Sequence, residues 1–289
     1  MLNEVFERNN RRHDSPFLPG TVMWTNNKRT ALNWTEYLCE ALLLGLFMLA
    51  ACIFATLLEH PAAMAHEVLP EPWMRRLVMG VAMGGTAVIL IHSPWGKRSG
   101  AHFNPAVTLT YWTLGRVAAI DALFYIAFQF AGGLAGVFVA RTMIGSALDH
   151  PSVNYVATLP GADGPLVAFV AEGLISFGLM SVVLRMANSR GWSRFTPFAV
   201  GAMVASFILF EAPISGVSMN PARTFSSAIP ARESLWPGIY FVAPPLGMLM
   251  AALVFHLERG AARVYCAKLH HHNRYSCIFR CNYGAINER

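Results

Sequence analysis

Charge is scarce in this chain. Asp, Glu, Lys and Arg make up 13% of 289 residues against 55% hydrophobic residues, and the mean hydropathy is positive. Too little polar material is left to clothe a globule of this size in water, which excludes a soluble fold and makes a bilayer the expected solvent. Cysteine is sparse as well. Cys39 and Cys52 fall in the first apolar run and Cys266, Cys277 and Cys281 near the end, so no disulfide framework is expected. The net charge of +6 comes without a basic module interleaved with aromatics, which excludes a nucleic-acid partner. No signal peptide is expected either, because a charged arm precedes the first apolar run.

What is present is a series of apolar runs, at 38–58, 77–93, 117–140, 165–184, 197–212 and 238–257. Most are near the ~20 residues that cross ~30 Å of hydrocarbon, which predicts an all-α, six-span membrane protein. The fifth run is the shortest and ends on Glu211. Six spans place both termini on one side. If that side is cytoplasmic, it holds seventeen of the 22 Lys and Arg residues, among them Arg8, Lys97, Arg98, Arg116, Arg185 and Arg263. The positive-inside bias therefore predicts cytoplasmic termini in a multi-pass cell-membrane protein, and a bacterial inner membrane is the expected setting. The reading divides the chain into an N-terminal arm (1–35), a membrane domain (36–258, with repeats at about 36–142 and 165–258) and a His- and Cys-containing tail (259–289).

One short polar word occurs twice: "SGAHFNPAVTL" at 99–109 and "SGVSMNPARTF" at 215–225. Other pairs accompany it. Glu40 opens "EALLLGLF" as Glu172 opens "EGLISFGL", and "YIAFQFAGG" from Tyr125 is matched by "YFVAPPLGM" from Tyr240. Each half thus holds three spans with an NPA word before the third. Three is odd, so the second half must enter the membrane upside down, as an inverted repeat. Asn104 and Asn220 are strong N-cap residues, and Pro105 and Pro221 suit the first helical position ahead of Ala106 and Ala222, so each word predicts a helix start. About ten residues follow before Gly115 and about nine before Pro230, roughly 15 Å of helix and hence half a span each. The stretches ahead of the Asn residues, including Gly100, Ala101 and His102 in one and Gly216 and Ser218 in the other, cannot be lipid-facing helix. Non-helical backbone at membrane depth must line a cavity or lie within protein, so these loops are expected to present carbonyl acceptors to a pore.

With two NPA boxes, their SG flanks and the paired Glu40 and Glu172, residues 36 to 257 resemble the aquaporin, or major intrinsic protein, family. The resemblance implies six helices plus two re-entrant half-helices, a homotetramer, and a passive pore for water or small uncharged solutes that excludes ions and protons; it implies no enzyme and no cofactor. It also carries the family's selectivity ring, by gapless alignment on the NPA boxes, to Gly84 (or Met83 after a one-residue slip), Ile208, Val217 and Arg223. The ring lacks the large aromatic and His that water-selective members place at its first two positions, which points to a larger solute such as a polyol or an undissociated metalloid acid. Thr224 and Ala228 depart from the glycerol-facilitator pattern, and Tyr240 with Phe241 resembles water channels.

Other readings compete for several residues. Glu40 and Glu172 could relay protons in an ion-coupled transporter, which also uses inverted repeats, or could hold the loops by accepting backbone hydrogen bonds; the resemblance favours the latter. His102 is expected to brace its loop, since no second ligand lies at metal-binding spacing from it. The tail could serve metal sensing, but its Cys and His spacings match no standard zinc motif, so the expectation is a tail without fixed structure and no metal site.

Overall fold

The computed structural model describes residues 32–234, 238–260 and 263–286. Among them every regular element is helical: α1 (Trp34–Glu59), α2 (Met64–Val68), α3 (Pro72–His92), α4 (Pro94–Ser99), α5 (Pro105–Thr113), α6 (Ala119–Ile144), α7 (Pro165–Ala187), α8 (Thr196–Phe210), α9 (Ala212–Ser215), α10 (Pro221–Ala231) and α11 (Ala243–Arg259). A helix satisfies its own backbone hydrogen bonds, as hydrocarbon demands. Six of the elements, counting the turns that lead into α8 and α11, are long and apolar enough to span a membrane. The short fifth run becomes α8, lengthened by a turn at Ser193–Phe195.

The halves are α1, α3, α5, α6 and α7, α8, α10, α11. In each, the first span crosses the third at a residue with no side chain in the way. A Cβ on Gly132 would lie 2.1 Å from the Ala41 carbonyl oxygen, and one on Gly247 would lie 2.2 Å from that of Gly173. The two contacts are the same pair in the two repeats, and the close backbone approach supplies dispersion where lipid gives no hydrophobic drive. The halves meet where α3 crosses α8. There a Cβ on Gly84 would overlap the Gly201 carbonyl oxygen at 2.3 Å, and one on Gly201 would lie 2.7 Å from that of Gly84. The approach is reciprocal, as a pseudo-twofold relation between the halves requires.

The tail corrects the sequence reading. Expected to lack fixed structure, residues 263–286 instead cover the side of the bundle where the first NPA loop enters, with Val264, Cys266, Ala267, Leu269 and Phe279 buried. Leu269 N donates to the Gly100 carbonyl (3.1 Å) and Arg280 N to that of Arg116 (2.9 Å). Apolar side chains scattered among the polar ones give the segment a face to bury, and loop carbonyls give its backbone partners. Most of the N-terminal arm, residues 1–31, lies outside the described residues.

Candidate functional site

The two re-entrant loops are held by one device used twice. Glu40, fully buried in α1, accepts hydrogen bonds from Ser99 Oγ (2.6 Å), His102 N (3.1 Å) and Phe103 N (2.6 Å). Glu172 in α7 accepts from Ser215 Oγ (2.6 Å), Ser218 N (2.7 Å) and Met219 N (2.7 Å). Tyr125 donates to Ser99 O and Tyr240 to Ser215 O, at 2.7 and 2.6 Å. These bonds hold backbone that side chains resist: Gly100, Ala101 and Phe103 have positive φ, as do Gly216, Val217 and Met219. For a β-branched residue such as Val217 (φ 50°) this region is unfavourable, and it persists because the surrounding bonds fix it.

Each loop delivers an Asn to the start of a half-helix. Asn104 Oδ1 accepts from Ala106 N (2.8 Å), and Asn220 Oδ1 accepts from Ala222 N (3.1 Å) and Arg223 N (3.2 Å). The carboxamides also cross over, Asn104 Nδ2 donating to Met219 O and Asn220 Nδ2 to Phe103 O, both at 2.8 Å. The half-helices α5 and α10 are thereby joined head to head. One N–H of each carboxamide makes this link, and the group carries a second.

Both Asn residues face a cavity of about 220 Å³ that runs from Glu59 and Arg76 on one side of the bundle to Leu269 of the tail on the other. Met79, Met83, Val204 and Ile208 give it an apolar wall, and Val217, Ser218 and Arg223 also line it. The Arg223 Nη1 atom is buried without a hydrogen-bond partner in the protein. With two helix N-termini converging, the centre carries partial positive charge and unpaired donors. It suits a neutral molecule that accepts hydrogen bonds and disfavours a cation.

A family model described as Major intrinsic protein matches residues 27–255. The chain belongs to that family. Among relatives of this major intrinsic protein, Aquaporin NIP1-3 of Oryza sativa subsp. japonica is 37% identical over 176 residues, covering 61% of this chain and 60% of the relative. Aquaporin NIP2-2 of Zea mays is 35% identical over 184 residues, covering 62% and 59%. The chain thus matches about three fifths of the length of these plant proteins. A solved structure, the aquaglyceroporin from Plasmodium falciparum, superposes with a TM-score of 0.62 over 77% of this chain and 95% of its own, at 18% identity, a likeness of fold.

Within this major intrinsic protein, a group of the residues singled out from sequence converges on the cavity: His102, Asn104, Ile208, Gly216, Val217, Ser218, Asn220 and Arg223 all line it. Pro105, Ala106, Pro221 and Ala222 form the buried first turns of the half-helices. Three expectations need correction. Gly84 packs against Gly201, and Met83 is the cavity-lining residue at that level; one residue is a 100° turn of a helix, which gapless alignment does not resolve. Gly100 and Ala101 do not line the cavity, and the Gly100 carbonyl instead accepts the tail's Leu269 N–H. The helix α10 continues one residue past Pro230, since a proline in the last turn removes a single N–H and Arg232 N closes the end on Ile229 O (3.2 Å).

Sequence reasoning missed the tail as a component of the site. His102 bonds Thr108 Oγ1 through Nδ1 (3.1 Å), as expected of a brace, but its Nε2 lies 2.8 Å from Ala267 O. Its ring stacks between Tyr111 and Phe279, at 5.3 Å from each. Nearby, His270 packs against His92 at 4.8 Å, and burial lowers its pKa to about 4, so it docks as a neutral ring. The signal was present only as Leu269, Ile278 and Phe279 among polar residues; the partner, a loop about 165 residues earlier, leaves no local trace.

Proposed function

We propose that this chain is a passive transmembrane pore for water and small uncharged solutes, polyols or undissociated acids among them. The observation that carries the reading is the head-to-head junction of α5 and α10 in an apolar-walled cavity, with the Arg223 Nη1 donor unpartnered beside it. Donors and positive potential at a constriction favour neutral acceptor molecules and oppose protons and cations. The names of the plant relatives and of the structural neighbour point the same way. An ion-coupled transporter needs a free carboxylate on the pathway, whereas Glu40 and Glu172 are fully buried and spend their oxygens on the loops, and Glu59 at one end of the cavity is paired with Arg75 (2.9 Å).

The positive-inside bias supports placing the tail side in the cytoplasm of a cell membrane, and the family supports a homotetramer with one pore per chain. The plant origin of the relatives lends nothing to a bacterial inner membrane. The pore reading is tested by stopped-flow light scattering on proteoliposomes, comparing shrinkage in a sucrose gradient with re-swelling in glycerol, urea or undissociated boric acid. Fluxes above those of protein-free vesicles that run only downhill are expected. Uphill solute flux driven by a proton gradient would falsify it.

A further inference from the structure

Four soft donors of the tail converge at one point. Among Cys266 Sγ, His271, Cys277 Sγ and Cys281 Sγ, one donor atom from each lies within 4.8 Å of all the others. Cys266 and Cys277 are 3.4 Å apart, sulfur to sulfur, and His271 Nε2 is 3.1 Å from Cys281 Sγ. A tetrahedron of thiolates around zinc, at about 2.3 Å per bond, has edges of about 3.8 Å. The four atoms therefore stand near the corners of such a site, and modest side-chain movement completes it. All three cysteines are free thiols, and a disulfide between any two would strand the third.

The surroundings fit a metal as well as the donors do. Lys268 N lies 3.5 Å from Cys266 Sγ, the backbone N–H to sulfur contact that orients a ligating thiolate. Three thiolates and a neutral imidazole around a divalent ion leave one net negative charge. Buried Lys268 supplies a positive one nearby, its ammonium held by the carbonyls of Lys97 (3.0 Å), Ser276 (3.2 Å) and Tyr275 (3.3 Å). The His271 ring is fixed by stacking on Tyr283, centroids 4.0 Å apart.

Between the first two ligands in the chain lies Leu269, the tail residue that lines the cavity at its end. We infer that Cys266, His271, Cys277 and Cys281 bind one zinc-class divalent ion, and that this ion fastens the tail as a stopper, with Leu269 in the mouth of the cavity. Without the ion, 24 described tail residues (263–286) hold their place through buried apolar side chains such as Val264 and Leu269, the ring contacts of Phe279 and His270, and a set of hydrogen bonds to the bundle, among them Tyr265 N to Asn188 Oδ1 (2.6 Å) and Tyr283 OH to Ser193 Oγ (2.8 Å). With it, the loop from 266 to 281 closes on itself, and unfolding must first release the metal. Loss of the ion frees the mouth. The stopper rests on the pore reading above; the metal site does not.

The test uses purified full-length protein, reduced and freed of metal. Titration with cobalt(II) is expected to give thiolate charge-transfer and tetrahedral d–d absorption saturating at one ion per chain, which zinc(II) then displaces. The C277S/C281S variant should lose those bands. Absence of the bands in the unmutated chain, or their persistence in the variant, overturns the site. For the stopper, water flux into proteoliposomes is compared with zinc(II) and with a zinc chelator inside. Chelation should raise flux severalfold, and L269A should show the raised flux while still binding cobalt(II). Equal flux in all these states overturns the stopper if flux exceeds that of empty vesicles. If no state conducts, L269A included, the pore reading fails and the cobalt(II) titration still decides the site. Should C277S/C281S fail to fold, chelation of the unmutated chain and L269A carry both tests.

Discussion

Glu172 is the side chain on which the second loop depends most. Its removal in E172A leaves the N–H groups of Ser218 and Met219 buried and unpaired, at about 1–3 kcal/mol each. E172Q keeps one acceptor oxygen and should lose less. The expected order of melting temperature in detergent is therefore unmutated, then E172Q, then E172A; equal values for the two variants would argue against the loop-holding role. Arg223 lines the cavity and its Nη1 has no protein partner, so replacing it should cost the scaffold little. R223V is expected to leave thermal stability nearly unchanged while raising the uptake of larger neutral solutes relative to water, read by re-swelling rates. Val217 lines the cavity, so V217C should make flux sensitive to a thiol reagent applied from the α2 side, which should leave the unmutated chain unaffected. The loop-holding role was legible because the repeat prints it twice, as Glu40 and Glu172, whereas the cavity positions of Arg223 and Val217, which stand where the first copy has Val107 and Ala101, were legible only through the family resemblance. The position of Gly84 was not, because letters spaced along a helix do not say which way a given residue faces.

The helices are placed by contacts that the repeat also prints twice. Gly132 against Ala41 and Gly247 against Gly173 set how near the third span of each half comes to the first. A leucine at either glycine must push a pair of backbones away from each other, at a cost of about 1–3 kcal/mol or more for overpacking. G132L and G247L should both lower the melting temperature, whereas leucine at Gly191, where nothing lies within 4 Å, should not. Six spans, two capped half-helices and their inverted order could all be read from apolar run lengths and from Asn-Pro at the helix starts. The π-helical turn at Gly238–Val242 ahead of α11 could not, having no signature beyond Pro244 and Pro245 just after it.

For the molecule as a whole, symmetry explains both what was foreseen and what was not. The segment between α6 and α7 covers the second re-entrant loop: Gly161 N donates to Ile214 O (2.8 Å), and Thr158 Oγ1 bonds Thr224 Oγ1 (2.7 Å). The tail covers the first loop in the corresponding way, through Leu269 N on Gly100 O and Ala267 O on His102 Nε2. Where the second loop has Ser218, the first has His102, the longer side chain needed to reach a cover that comes from the far end of the chain. Inverted repetition predicts that each loop needs a cover, but the tail lies outside the repeat, so no pairing of letters announced it. The two covers also differ in attachment. Residues 145–164 run into a span at either end, whereas 263–286 follow α11 and lead into no further span among the described residues. Local unfolding can therefore peel the tail away without moving any span, while lifting the segment at 145–164 must strain α6 or α7. Amide hydrogen exchange should report the difference as faster exchange at Leu269 and Arg280 than at Gly161. Equal protection would mean that both faces open only with the whole bundle.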